Sequence, residues 1–139
     1  MKPRSIGHPG YSVKMDRVPE AAREARVMVR VVLSTWGLDA AADEAALLLS
    51  ELVTNAVRHA QGPTVRVVVD RPADNRVCLA VIDRAPRRTP EIRTPHPDDA
   101  SGRGLQLIDE ITDRWGWNSM GSSVRPWGKR VWAELKVSP

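Results

Sequence analysis

Two runs rich in β-branched residues, Thr64 to Arg71 and Arg76 to Asp83, are separated only by Pro72-Ala73-Asp74-Asn75. β-Branched side chains suit the pleated, half-buried surface of a sheet, and Pro, Asp and Asn are turn formers. The two runs predict a β-hairpin, so the fold must be built around a sheet. The flanking segments say what accompanies it. Tyr11 to Val18 alternates loosely through Tyr11, Val13 and Met15 and predicts a short first strand. Pro19 then opens a stretch with Ala22, Ala25, Val29, Val32 and Leu33 at helical spacing, ended by Gly37. Asp39 is placed to cap a second helix that runs through Leu47-Leu48-Leu49 to about Ala60, where Gln61-Gly62-Pro63 stops it.

Beyond the hairpin the periodicity disappears. Arg84 to Ser101 carries Pro86, Pro90, Pro95 and Pro97, and a long aperiodic segment inside a compact domain is usually functional. A third helix is expected from Leu105 to about Asp113, followed by closing strands at Arg114 to Met120 and Arg130 to Val137. Helices and hairpins segregated in this order predict an α/β sandwich: a mixed, mainly antiparallel sheet with helices packed on one face. The chain has 139 residues, which suits one domain. Residues 1–10 are expected to be a flexible tail and 11–139 a single domain.

Composition narrows the function. The start is polar and rich in Pro and Gly, and no run approaches the length of a membrane span; the expectation is a cytoplasmic protein away from membranes. The single cysteine, Cys78, lies in an apolar run and is expected to be a buried strand residue. His8, His59 and His96 are too scattered to argue for a transition-metal site. Trp115, Trp117 and Trp132 fall in expected strands, and core packing is their first explanation. The net charge of +4 admits an anionic partner. The basic residues form no block and no helix shows a basic face, which makes nucleic acid an unlikely one.

Three places could carry chemistry. Glu51, Asn55 and His59 recur at i, i+4 and i+8 on the second helix and so share one side of it. A carboxylate there can take a proton, and an amide oxygen one turn on can ligate Mg²⁺, which prefers hard oxygen donors. The plain alternative is the wet side of an amphipathic helix. Asp83 closes an apolar strand and can accept a hydrogen bond from an exocyclic amine such as that of adenine, or simply form a turn. Ser101-Gly102-Arg103-Gly104-Leu105 opens the third helix. Its glycines and free N–H groups suit a phosphate, or a hinge. Together the three would account for the parts of ATP–Mg²⁺, with the arginines at 84, 87, 88 and 93 placed between the second and third as a lid.

At these residues the chain resembles the GHKL superfamily of gyrase, heat-shock chaperone, histidine kinase and MutL-type ATPases, and within it the short bacterial anti-sigma-factor serine/threonine kinases. Glu51-Leu52-Val53-Thr54-Asn55-Ala56-Val57-Arg58-His59 is similar to the family's N-box, Val81-Ile82-Asp83 to the start of its first glycine box, and Gly102-Arg103-Gly104-Leu105 to the second. Gly128-Lys129-Arg130-Val131-Trp132-Ala133-Glu134-Leu135 resembles its last strand. The resemblance implies the Bergerat fold, with ATP and Mg²⁺ as cofactors. It implies Glu51 as general base, Asn55 as metal ligand, and Asn55, His59, Asp83, Ala85, Gly102, Arg103, Gly104 and Leu105 around the nucleotide. It further implies a sigma factor and an anti-anti-sigma antagonist as partners, with a homodimer among the family's states. Two departures stand out. The first glycine box reads Asp83-Arg84-Ala85-Pro86-Arg87, with both of the usual glycines replaced, and Arg130 stands where the last strand commonly carries Thr or Ser. A degenerate relative, acting as a protein-binding switch, is the alternative these departures raise.

Overall fold

The computed structural model describes residues 1–4, 7–84, 112, 114–122 and 124–139. The elements in chain order are β1 (Lys2–Pro3), β2 (Gly10–Asp16), α1 (Ala21–Thr35), a 3₁₀ turn (Asp39–Ala41), α2 (Ala42–His59), β3 (Thr64–Ala73), β4 (Arg76–Asp83), β5 (Arg114–Gly121) and β6 (Pro126–Lys136). The strands make one sheet in the order β1-β2-β3-β4-β6-β5. Every pairing among the described strands is antiparallel. The sandwich is therefore the expected one, with a wholly antiparallel sheet among these strands.

Alternation along the strands divides the sheet into two faces. Met15, Val65, Val67, Val69, Val77, Leu79, Val81, Val131, Ala133 and Leu135 point into one core with α1 and α2. The helices meet them with Ala25, Val29, Val32 and Leu33 from α1 and Leu48, Leu49, Leu52 and Val53 from α2, all essentially inaccessible. Gly37 ends α1 as predicted, and for a conformational reason. Its φ is +72°, and Leu38 N donates to Leu33 O (2.8 Å) while Gly37 N donates to Ser34 O (3.0 Å). That is the paired hydrogen bonding of a Schellman stop, which puts a left-handed residue after the helix. Leu38 is buried behind it, closing the corner between the helices. No described helix is long and apolar enough to cross a membrane.

Four local expectations differ from the structure. The predicted tail folds back, pairing Lys2 with Ser12 and Pro3 with Tyr11. Pro3 lies on the outermost strand, where a missing N–H costs no ladder bond, and the Arg4 guanidinium pairs with the Asp70 carboxylate to hold the segment down. Asp39 does not cap α2: it lies in the 3₁₀ turn, and α2 starts after Ala41 with no side-chain cap. Cys78 is half-buried on the sheet face away from the helices, and Arg130 donates to its Sγ at 3.6 Å. Burial pushes its thiol upward, with Arg130 pulling the other way. Of the three tryptophans expected in strands, Trp115 alone packs against the core, which Trp36 at the end of α1 also touches. Trp117 is exposed, and Trp132 lies on the face away from the helices, where its indole N–H donates to Asn118 Oδ1 at 3.0 Å.

Candidate nucleotide site

The second helix sorts its residues into three classes. Leu48, Leu49, Leu52, Val53 and Ala56 are buried, Glu44, Leu47 and Arg58 are exposed, and Glu51, Asn55 and His59 are half-buried. The i, i+4, i+8 row is thus the flank where α2 leaves the core, not its wet side. Partial burial has an electrostatic consequence. It pushes the Glu51 carboxyl above the ordinary carboxylate range, and the positive charge of Arg58 offsets part of that shift. A carboxylate destabilised by burial is a stronger base than one in water.

The end of α2 is fixed by a residue that sequence reasoning passed over. Arg17, just after β2, donates through Nη1 to Val57 O (2.7 Å) and through Nε to Gly62 O (2.6 Å). Its backbone N–H reaches Pro63 O at 2.8 Å. One guanidinium therefore satisfies an orphan carbonyl of the last helical turn and ties the helix that carries Asn55 and His59 to the sheet. Its only sequence signal was a basic residue at the end of the first strand.

Asp83 is the last residue of β4 and follows Val77, Leu79 and Val81 on the helix side of the sheet. It sits in direct register with Lys129 of β6. Both side chains are 2% exposed, and Lys129 Nζ donates to Asp83 Oδ1 at 3.3 Å. Lys129, not Arg130, is therefore the β6 residue beside Asp83; Arg130 projects from the opposite face, next to Cys78. Gly128 makes this approach possible. A Cβ there would lie 2.1 Å from the Asp83 carbonyl oxygen, so β6 starts closer to β4 than any other residue permits. Gly128→Ala is expected to force the strands apart and cost roughly 1–3 kcal/mol, as overpacking does, measured as a fall in Tm with the two-state shape retained. Ala85, Gly102, Arg103, Gly104 and Leu105, the segment from residue 85 to 101 and the expected third helix lie outside the described residues.

The described residues place a half-buried carboxylate, Glu51, and an amide one turn along, Asn55, on α2, and a buried carboxylate, Asp83, at the end of β4 on the face that the helices cover. A six-stranded antiparallel sheet with two helices packed against it is the architecture of an ATPase domain of the histidine-kinase type. Residues 16–133 match the family described as histidine kinase-like ATPase domain, and the chain belongs to that family, within the GHKL superfamily. Among solved structures, full-length ShkA in complex with AMPPNP is similar at a TM-score of 0.54 and 16% identity, over 92% of this chain and 32% of that one. The mycobacterial sensor histidine kinase MprB is similar at a TM-score of 0.51 and 14% identity, over 93% of this chain and 99% of that one. The chain thus spans about a third of ShkA. At these identities the likeness is one of fold. Comparison with curated proteins finds no match.

Proposed function

We propose that the chain is an ATP- and Mg²⁺-binding regulatory serine/threonine kinase of anti-sigma-factor type, acting in the cytoplasm, that binds a sigma factor and phosphorylates an antagonist protein. The observation that carries it is the pairing on α2 of a base strengthened by burial, Glu51, with an amide oxygen one turn on, Asn55. Family membership and the AMPPNP held by ShkA support ATP as the ligand. The Asn55 amide oxygen suits Mg²⁺, an ion commonly held by one or two protein oxygens together with substrate phosphates. Asn55 would hold it, and when bound it would neutralise phosphate charge.

The chemistry asked of the protein is small, since phosphoryl transfer depends on positioning and charge neutralisation. Glu51 would take the proton of the antagonist's hydroxyl as that oxygen bonds to the γ-phosphorus. The bond from the γ-phosphorus to the bridging oxygen breaks, and ADP leaves. Asp83 would accept from the adenine amine while Lys129 holds its Oδ1. Titration calorimetry with ATP–Mg²⁺ tests this reading. Micromolar binding is expected for the wild type, at least tenfold weaker in Asn55→Ala and lost in Asp83→Asn. Absence of heat in the wild type at several temperatures, backed by an orthogonal binding assay, would refute it.

The Asp83–Lys129 pair favours one second reading. A base-reading carboxylate already engaged and buried, followed by Arg84-Ala85-Pro86-Arg87 instead of a glycine box, suits a protein-binding switch with little or no turnover. Partner capture indifferent to ATP and to Asp83→Asn would select it, whereas dependence on either would exclude it.

A further inference from the structure

The sheet face away from the helices gathers charge that is scattered in sequence. Cross-strand register places Lys14, Arg66, Ile82, Arg130 and Asn118 in one row, on β2, β3, β4, β6 and β5 in turn. With strands about 4.8 Å apart the row is roughly 19 Å long. By backbone register it holds three cationic residues and no carboxylate, although the Arg130 guanidinium reaches along the sheet to Cys78. Lys14 and Arg66 are exposed and are direct cross-strand partners, an arrangement that weakens a sheet. The other end of the same face carries both signs: Asp70 pairs with Arg4, Glu134 accepts from Arg76 at 2.5 Å with Arg114 3.7 Å away, and Lys136 stands in register with Arg76. Asp16 lies two residues along β2 from Lys14. Folding does not account for like charges set side by side where opposite ones could stand.

Next to the row is an aromatic surface. Trp132 stands two residues from Arg130 on the same face, in register with Gly116. A Cβ at Gly116 would lie 2.9 Å from the indole ring, so the ring lies against the bare backbone of β5. The bond from its Nε1 to Asn118 fixes its orientation. The Arg114 guanidinium lies over the ring, 5.8 Å from its centre. Two stacked layers at van der Waals contact need about 7 Å, so an outward shift of about one ångström in this exposed side chain would admit a planar base between indole and guanidinium.

We propose that this face binds single-stranded nucleic acid, its phosphates along Lys14, Arg66 and Arg130 and one base stacked on Trp132. Cations tracking a backbone beside a flat aromatic are the general solution for single strands. An acidic peptide would use the cations but would leave the glycine-seated indole without a function. The surface lies on the opposite side of the sheet from Asp83, so the inference does not depend on the ATP reading. The basic residues form no block in the sequence, yet three strands bring together cationic ones more than fifty positions apart.

Fluorescence anisotropy of a labelled twelve-residue oligouridylate with the full chain, from low to moderate salt, tests the proposal. Micromolar binding is expected, with log Kd rising against log salt at a slope of about 2, the value for some three phosphates on a single strand. Lys14→Glu and Arg66→Glu, both at exposed strand positions, should each weaken binding at least tenfold. Trp132→Leu should weaken it severalfold while leaving the salt slope unchanged, and tryptophan emission should be quenched on binding. Saturating ATP–Mg²⁺ should leave the affinity unchanged. No binding at low salt would overturn the proposal. So would equal affinity for a duplex, equal competition by polyglutamate, displacement by ATP, or indifference to Arg66→Glu in a folded variant.

Discussion

Lys129→Ala is expected to remove about 3–5 kcal/mol of stability, the range measured when one partner of a buried ion pair is taken away. Lys129 and Asp83 are each 2% exposed and 3.3 Å apart. Truncating the lysine takes its ammonium away from a carboxylate that is 2% exposed in the layer between sheet and helices. The loss should appear as a lower urea midpoint with little change in slope. It should exceed what the lost methylenes alone would give, and a companion variant shows how. Lys129→Met keeps most of the stem volume but still removes the ammonium beside the buried carboxylate, so it should remain strongly destabilised. Combining it with Asp83→Leu removes both charges, and buried pairs replaced by apolar residues of similar volume are often neutral or better. The double variant should therefore be more stable than Lys129→Met, and the coupling between the two sites should exceed 1 kcal/mol. If the single and double variants lose stability additively, the pair is not an interacting unit.

The helices and the central hairpin could be read directly from the chain, because each depends on periodicity within a short window. Ala25, Val29, Val32 and Leu33 predict the buried stripe of α1 without any knowledge of what covers it, and Gly37 marks its stop by conformation alone. The same holds for Glu51, Asn55 and His59, whose spacing on one helix is local. What was not legible depends on register between distant segments. Lys129 meets Asp83 only because β6 pairs with β4 across 46 positions. Arg17 reaches the end of α2 across 40. Nothing near either residue announces the contact. The tryptophans failed for a related reason: an apolar residue in a strand belongs to the core only if its parity points that way. Trp132 has the parity of Ala80 and Val68 on the far side, while the register partner of Trp115 is Ala133, a core residue. The N-terminal segment looked like a tail because its two-residue strand is stabilised by Arg4 on Asp70, again a long-range pair.

Glu51→Ala should abolish phosphoryl transfer to an antagonist serine or threonine, by about 10²–10⁴-fold if its part is that of a general base, while ATP affinity changes by less than a factor of about three. Residual transfer near the wild-type rate would exclude Glu51 from proton abstraction. The pH dependence carries an independent check of the same carboxyl. Burial raises its proton affinity in the folded protein, so the folded state binds more protons than the unfolded one across the interval between the two values. Stability from this group is then fully present below the ordinary carboxylate range and is lost as pH rises through the raised value. Glu51→Gln removes that dependence. It should melt higher than the wild type at neutral pH, and the gap should close on acidification. Activity must follow the opposite sense, because a base works only when unprotonated: the acid limb of the wild-type rate should lie above the ordinary glutamate range and vanish with Glu51→Gln. A stability gap without a matching acid limb would place the strain of burial at Glu51 but move the chemistry elsewhere. Both together would mean that the partial burial which costs the fold stability at neutral pH is what makes this carboxylate a useful base.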